Sequence, residues 1–196
     1  MSKKIRSFLA IELNENLYRS LEDLIGKLRS TRYDVRWVAP RNIHLTIRFF
    51  GEISSHDIGV ISTAATRAVS TTAPFEINIT GLGAFPSLRS PRVIWAGIEK
   101  PEPLMALEEM ITAELKGIDW PPPDKPFRPH ITLGRVKSSR GKLDLFEILK
   151  KYNAVNPGRL LVDHISLIKS DLRPSGPVYS PLNRYCLTHS PNNAVN

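Results

Sequence analysis

The segment "RNIHLTIRFFG", residues 41–51, reads as a β-strand that carries a histidine and a threonine two residues apart inside an apolar run. Side chains alternate across a strand, so His44, Thr46 and Arg48 are expected on one face and Ile43, Leu45, Ile47 and Phe49 on the other. The second face reads as core. The first needs a reason. It gains one from an echo further along: "HITLGRVK" places His130 and Thr132 where the first segment has His44 and Thr46, at a separation of 130 − 44 = 86 residues. A single His-x-Thr in a strand says little, because a strand histidine is usually a satisfied structural residue. Two copies in equivalent frames point to a built site.

The equivalence extends beyond the motifs. Each His-x-Thr is followed by a helical pattern, a strand, a Pro/Ser-rich loop and another strand. Ile79 and Ile165 each lie 35 residues after their histidine, and Val93 and Tyr179 each lie 49 after theirs. Such internal self-similarity predicts two half-molecules related by an approximate two-fold axis. If the halves meet about that axis, the two polar strand faces line a common cleft.

The periodicity supplies the remaining elements. KIRSFLAIEL alternates and predicts a strand over 4–12. A helix over 15–29, capped by Asn14, buries Leu17, Leu21, Leu24, Ile25 and Leu28. A second helix, capped by Ser55, turns Ile58, Ile61, Ala65 and Ala68 inward. Strands follow at 75–82 and 92–98, separated by the loop GAFPSLRSP. A helix after Pro103 spaces Leu104, Leu107, Ile111 and Leu115 for burial. WPPPDKP can be neither helix nor central strand. A strand over 128–136 and a helix over 142–152, burying Leu145, Phe146 and Leu149, come next. GRLLVDHISLIKS reads as one strand, SDLRPSGP as a loop, and VYSPLNRYCL as the last strand. Residues 1–189 are expected to form one two-lobed domain, and 190–196 a polar tail.

The chain has 196 residues, a formal net charge of +8 and a pI near 9.8. A basic surface favours polyanionic partners such as nucleic acid. The single cysteine, Cys186, excludes an internal disulfide and suits a reducing compartment. The apolar run near the start is too short for a secretory signal, and no stretch approaches a membrane span. A cytoplasmic protein without membrane contact is expected. A monomer is expected too, since the chain carries its own pseudo-dyad.

Two histidines on opposite walls of a cleft can divide proton work. One, neutral, takes a proton from a nucleophile; the other, charged, gives a proton to a leaving oxygen. In-line displacement at phosphorus needs both. Threonine hydroxyls and an arginine can hold the non-bridging oxygens as charge builds. No metal is expected, because two His and two Thr make a poor zinc set. The GxxxxGK[ST] phosphate loop is absent. This chemistry demands one acid and one base and leaves open which histidine is which.

"SFLAIEL", "NIHLTIRFFGE", "PRVIWAGI", "FRPHITLGRVK" and "GPVYSPL", in this order, closely resemble the two-histidine (2H) phosphoesterases. Within them the chain resembles the RNA 2′,3′-cyclic phosphodiesterases, also called 2′-5′ RNA ligases. The resemblance implies an α+β fold of two pseudo-symmetric lobes, each an antiparallel sheet with helices on the outer face, around a central basic cleft. It implies hydrolysis of RNA 2′,3′-cyclic phosphate ends to 2′-phosphates without metal or nucleotide cofactor. It also implies reversible, ATP-independent 2′-5′ joining of RNA halves, such as tRNA halves. By the same carry-over His44 is the general acid, His130 the general base, and Thr46, Thr132 and Arg135 hold phosphate. Regular alternation would turn Arg135 away from His130, so a bulge or strand end is expected near Gly134.

Stacking of nucleobases needs flat partners. Phe8, Trp37, Phe50, Trp95 and Tyr179 are the aromatic candidates, mostly core. Phe50 is favoured for stacking because alternation puts it on the His44 face. Arg48, on the same face, is either a rim charge or a phosphate contact. His56, His164 and His189 have no counterpart at the repeat distance and are expected to be structural or superficial. Two other functions share these residues: an RNA-end binding module without catalysis, and the same chemistry on small cyclic nucleotides or 2′-5′ oligonucleotides.

Overall fold

The computed structural model describes residues 4–29, 34–138, 142–174 and 176–188, with the side chains of 142–144 left aside. The predicted polar tail from Ser190, and His189, lie outside these residues. Nine strands and four helices are described: β1 Ile5–Ile11, α1 Glu15–Arg29, β2 Val35–Trp37, β3 Leu45–Ile53, α2 Ser55–Ser70, β4 Phe75–Ser87, β5 Ser90–Glu99, α3 Glu102–Lys116, β6 Ile131–Val136, α4 Lys142–Lys151, β7 Gly158–Val162, β8 His164–Arg173 and β9 Gly176–Cys186.

Each helix forms where the apolar spacing asks for it. Leu17, Leu21, Leu24, Ile25 and Leu28 of α1 are buried, as are Leu104, Leu107, Ile111 and Leu115 of α3. The α2 start lies one residue earlier than expected. Ser54 is the cap: its Oγ accepts from the Asp57 amide while the Asp57 carboxylate accepts from the Ser54 amide. The buried faces of the helices join the outward face of the sheet in one apolar core.

The strands form a single antiparallel sheet in the order β7-β4-β5-β6-β3-β1-β8-β9, with β2 added beside β6. Four strands lie on each side of the β6–β3 seam, which gives the two pseudo-symmetric lobes of an α+β fold. The lobes share one continuous sheet, joined by a single residue pair, Leu45 opposite Ile131. Since 45 + 86 = 131, that pair sits on the pseudo-dyad. The spatial halves differ from the chain halves, however. β1 lies between β3 and β8, in the place that β5 takes between β6 and β4. The lobe holding the first motif therefore borrows the C-terminal hairpin β8–β9. This explains why "FLAI", residues 8–11, is apolar throughout: Leu9 and Ile11 enter the main core, while Phe8 and Ala10 form a small second cluster with Ile168 on the inner face.

Two loops expected from the sequence are hairpin arms. GAFPSLRSP extends β4 and β5 up to a tight turn, and SDLRPSGP does the same for β8 and β9. Turn residues marked the reversals, but paired backbone reaches almost to the tips. GRLLVDHISLIKS is two strands rather than one. β7 pairs with β4 and β8 with β1, at opposite regions of the sheet, and the chain redirects at Asp163.

Bulges decide what the motif strands present. Against β1, Ala10 faces Thr46 and Leu9 faces Arg48, so Ile47 is an extra residue in β3. Against β5, Trp95 faces Thr132 and Ile94 faces Gly134, so Leu133 is the extra residue in β6. The two bulges are dyad mates, since 47 + 86 = 133. Each makes two successive residues face the helices and brings the next one back to the inner face. The expected irregularity near Gly134 is present, one residue earlier, and Arg135 faces the cleft.

The matching bulge in β3 overturns two expectations. Arg48 does not share the His44 face. It is 4% exposed, donates to the Pro121 carbonyl at 2.6 Å and to Thr112 Oγ1 at 3.4 Å, and pairs with Glu108 of α3 at 3.9 Å. Phe50 also turns to the helix side, where its ring packs edge-on against Trp120. Phe49 takes the inner position instead, 49% exposed. Arg48 thereby ties β3 to α3 and to the connector that leads into β6. Removing it strands the nearly buried Glu108 carboxylate. Arg48→Ala is expected to lower unfolding free energy by ~3 kcal/mol in urea titration, and Arg48→Ala,Glu108→Leu to recover most of that loss.

Candidate active site

The register of the central pair places the motif residues. Residues directly opposite in an antiparallel pair share a face. With Leu45 opposite Ile131, the same register puts His44 beside Thr132 and Thr46 beside His130. All four side chains line one cleft on the inner face of the sheet. Leu45 and Ile131, both fully buried, hold the seam from behind.

Both imidazoles are held in the same way. His44 Nδ1 lies 2.8 Å from the carbonyl of Asn42, and His130 Nδ1 lies 2.6 Å from the carbonyl of Arg128. A carbonyl only accepts, so Nδ1 of each ring carries a hydrogen and donates. This fixes the tautomer and leaves Nε2 for the cleft. His44 Nε2 is 3.0 Å from Thr46 Oγ1. His130 Nε2 has no protein partner among the described residues.

The two rings differ in their surroundings. Phe8 stacks on His44 at 4.7 Å between centroids, and Tyr179 meets the same ring edge-on at 5.2 Å. Burial there pushes His44 below the usual histidine range; the Asn42 carbonyl works against that shift and the charge of His130 adds to it. Burial also pushes the Tyr179 phenol up, against the nearby charges of Arg135 and Arg6, so it stays protonated at neutral pH. Among the described residues one aromatic ring packs against His130, that of Phe85, edge-on at 5.0 Å.

The cleft encloses about 940 Å³, room for a nucleotide and more, since sites for drug-sized ligands run from ~300 to ~1,000 Å³. Its charge has one sign. Arg6, Arg36, Arg41, Arg92, Arg135 and Lys137 line it, and no aspartate or glutamate does among the described residues. The Arg6 guanidinium lies 4.5 Å over the Phe49 ring, which steadies that ring as an exposed flat platform. The cleft is thus an anion site. Among the described residues no group of three or more His, Cys, Asp or Glu could hold a metal, and no helix is long and apolar enough to cross a membrane.

The structure therefore brings together His44, Thr46, His130, Thr132 and Arg135, and sets Phe50 apart from them. Sequence reading missed Phe49, Phe85, Arg36 and Arg41. The offset of 86 could have found Phe49, because it maps Phe49 onto Arg135, the residue for which a bulge was already expected. Phe85 lay in a stretch read as loop. His164 lies away from the cleft, between Asp163 at 2.5 Å and Glu12 at 3.6 Å.

A dyad-centred anion cleft on the inner face of a curled antiparallel sheet, with helices outside, defines a LigT-like α+β class. The fold of this chain matches E. coli LigT complexed with 3′-AMP at a TM-score of 0.76, with 27% identity over 95% of this chain and 100% of that one. It matches TT0787 of Thermus thermophilus at a TM-score of 0.79, with 31% identity over 94% and 99%. The family model of the 2′-5′ RNA ligase superfamily matches residues 17–174. The RNA 2′,3′-cyclic phosphodiesterase of Methanothermobacter thermautotrophicus is 34% identical over 94% of this chain and all of its own length. That of Thermotoga maritima is 35% identical over 91% and 93%. The chain belongs to the 2′-5′ RNA ligase superfamily.

The depressed His44 has two measurable consequences. In a proton NMR titration of the free protein its ring is expected to change state below the ordinary value of about 6.5. The unfolded chain binds that proton at higher pH than the folded one, so stability is lost as pH falls from about 6.5 toward the folded value. His44→Gln is expected to flatten this part of the stability profile.

Proposed function

We propose that the protein is an RNA 2′,3′-cyclic phosphodiesterase that opens the cyclic end to a 2′-phosphate. One observation carries this reading: two imidazoles of fixed tautomer, both presenting Nε2 to a shared cationic cleft that Thr46 and Thr132 also line. The relatives named RNA 2′,3′-cyclic phosphodiesterase, matched over nearly their whole length, support the same activity.

In this mechanism the phosphate lies on the pseudo-dyad. Thr46, Thr132 and Arg135 receive the non-bridging oxygens and stabilise the charge that grows on them. His130 Nε2, the more open ring, takes a proton from water as the water oxygen attacks phosphorus. The bond from phosphorus to the 3′ oxygen breaks, and His44 Nε2 delivers a proton to that oxygen. The 2′ link is kept, and atoms balance with one water consumed. His44 must be charged to act as acid, yet Phe8 and Tyr179 disfavour the charged ring. The substrate's own negative charge resolves this conflict, since an anion against the ring raises its pKa. His44 thus gains its proton on substrate binding. Phe49 with Arg6 on its face offers the terminal base a platform.

Joining of two RNA ends is the same displacement with a 5′ ribose hydroxyl in place of water. Its oxygen bonds to the cyclic phosphorus, the bond to the 3′ oxygen breaks and that oxygen takes up the proton, and a 2′-5′ link remains. The reverse step cleaves that link back to the cyclic end. It needs no nucleotide cofactor because the phosphodiester exchange is close to balanced. Cleaved RNAs such as tRNA halves carry the ends this exchange requires.

His44→Ala and His130→Ala are each expected to lower kcat/KM on a cyclic-ended oligoribonucleotide by about 10²–10⁴-fold with unchanged thermal unfolding, and EDTA to leave the rate unaltered. Full activity in both variants would remove the reading, and tight binding by the wild type without turnover would favour a binding module. The limb assigned to His44 is expected at higher pH in the kcat profile than in the kcat/KM profile, because only the former reports the complex.

A further inference from the structure

A 2′,3′-cyclic phosphate carries one negative charge. Under the phosphodiesterase reading it already meets Thr46, Thr132 and Arg135 between the two imidazoles. Five further cations line the cleft: Arg6, Arg36, Arg41, Arg92 and Lys137. That is more positive charge than one monoanion can use, and it is unevenly placed. Among the described residues β2, which carries Arg36, pairs only with β6 and has no counterpart beside β3.

Arg36 lies directly opposite Arg135 in the β2–β6 pair. Like charges in that relation repel and destabilise a sheet. Among the described residues neither guanidinium has a carboxylate within 4.0 Å to relieve the repulsion. An anion between the two planar forks would relieve it, and phosphate fits them bidentately. The Arg36 guanidinium reaches toward the β8–β9 turn: its Nη2 lies 3.5 Å from where a Cβ would stand on Gly176, a residue with φ of 119°. Asn42 Nδ2 donates to the Pro177 carbonyl at 2.9 Å, tying the segment after β2 to the β8–β9 hairpin.

We propose that Arg36, with Arg41 from the adjoining 3-10 turn, holds the phosphate on the 5′ side of the terminal nucleotide. The inference rests on the phosphodiesterase reading and narrows its substrate to oligoribonucleotide ends in preference to cyclic mononucleotides. The symmetry of the cleft is broken in a way that suits a directional strand. Dyad mates Phe49 and Arg135 put a base platform toward one end and a cationic pair toward the other.

The test compares wild type and Arg36→Gln on a 2′,3′-cyclic mononucleotide and on a cyclic-ended tetraribonucleotide with the same terminal base. KM for the tetranucleotide is expected to rise about tenfold, as loss of one charged hydrogen-bonding group implies, with kcat held. KM for the mononucleotide is expected to stay within about twofold, and Arg36→Lys to restore part of the oligonucleotide effect. Binding of a labelled oligoribonucleotide ending in a 2′-phosphate should lose roughly 0.7 from its log–log salt slope in Arg36→Gln, the value for one phosphate contact on a single strand. Equal losses on both substrates would put Arg36 at the reacting phosphate and overturn the proposal. So would unchanged KM on both. If wild type turned over neither substrate, the phosphodiesterase reading would fall, and the salt slope alone would decide the subsite: an unchanged slope overturns it.

Discussion

The pairing of Leu45 with Ile131 is the contact from which the site follows. Two strands run antiparallel and touch at one residue pair lying on the pseudo-dyad. In each strand the residue before this pair is the histidine and the residue after it is the threonine. The antiparallel register converts a repeat in sequence into a constellation in space: each imidazole comes beside the other strand's hydroxyl. A slip of one residue would turn half the set into the helix layer. Two fully buried aliphatic side chains, packed against one apolar core, thus hold a polar arrangement in which neither takes part.

From this centre the two halves diverge in ways that give the cleft its chemistry. The same bulge follows both threonines. In one half it delivers an aromatic ring to the cleft and in the other a guanidinium. One histidine is enclosed by Phe8 and Tyr179, and the other meets a single ring, Phe85. An acid and a base must differ, and strict symmetry would have made them alike. The rings that enclose His44 come from the N-terminal strand and the C-terminal hairpin, the two elements that the spatial lobe assembles from opposite ends of the chain. The difference between the surroundings of the two imidazoles therefore arises where the fold departs from a plain duplication.

Arg48 shows how an alternation argument fails. The residue type and its position two after Thr46 suggested a cleft cation. One extra residue in the strand turns it inward, and there it bonds the connector ahead of the second motif. Its dyad mate is Gly134, since 48 + 86 = 134, where Val35 and Trp37 of β2 occupy the space a side chain would need. The same backbone position is filled by an arginine tie in one half and by a packed strand in the other. That difference admits β2 beside β6, and with it Arg36.

The sequence by itself determined the helices, through their apolar spacing, and the motif strands, through alternation. It also determined the duplication, through an offset preserved over five elements. From these came the polar face shared by His44 and Thr46, the matching pair His130 and Thr132, and the basic character of what they face. These features are local or periodic, so one-dimensional reading reaches them. Only the tertiary structure decided which strand neighbours which, because β1 displaces the hairpin strand that sequence order would have placed there. It decided the facing of Phe49, Arg48 and Phe50, since a bulge costs one residue of register and leaves no composition signal; the offset of 86 onto the irregularity expected near Gly134 was the one trace of it in the sequence. It alone set His44 between two rings, because that enclosure joins residues from the first and last strands, whose approach depends on β8 pairing with both β1 and β9.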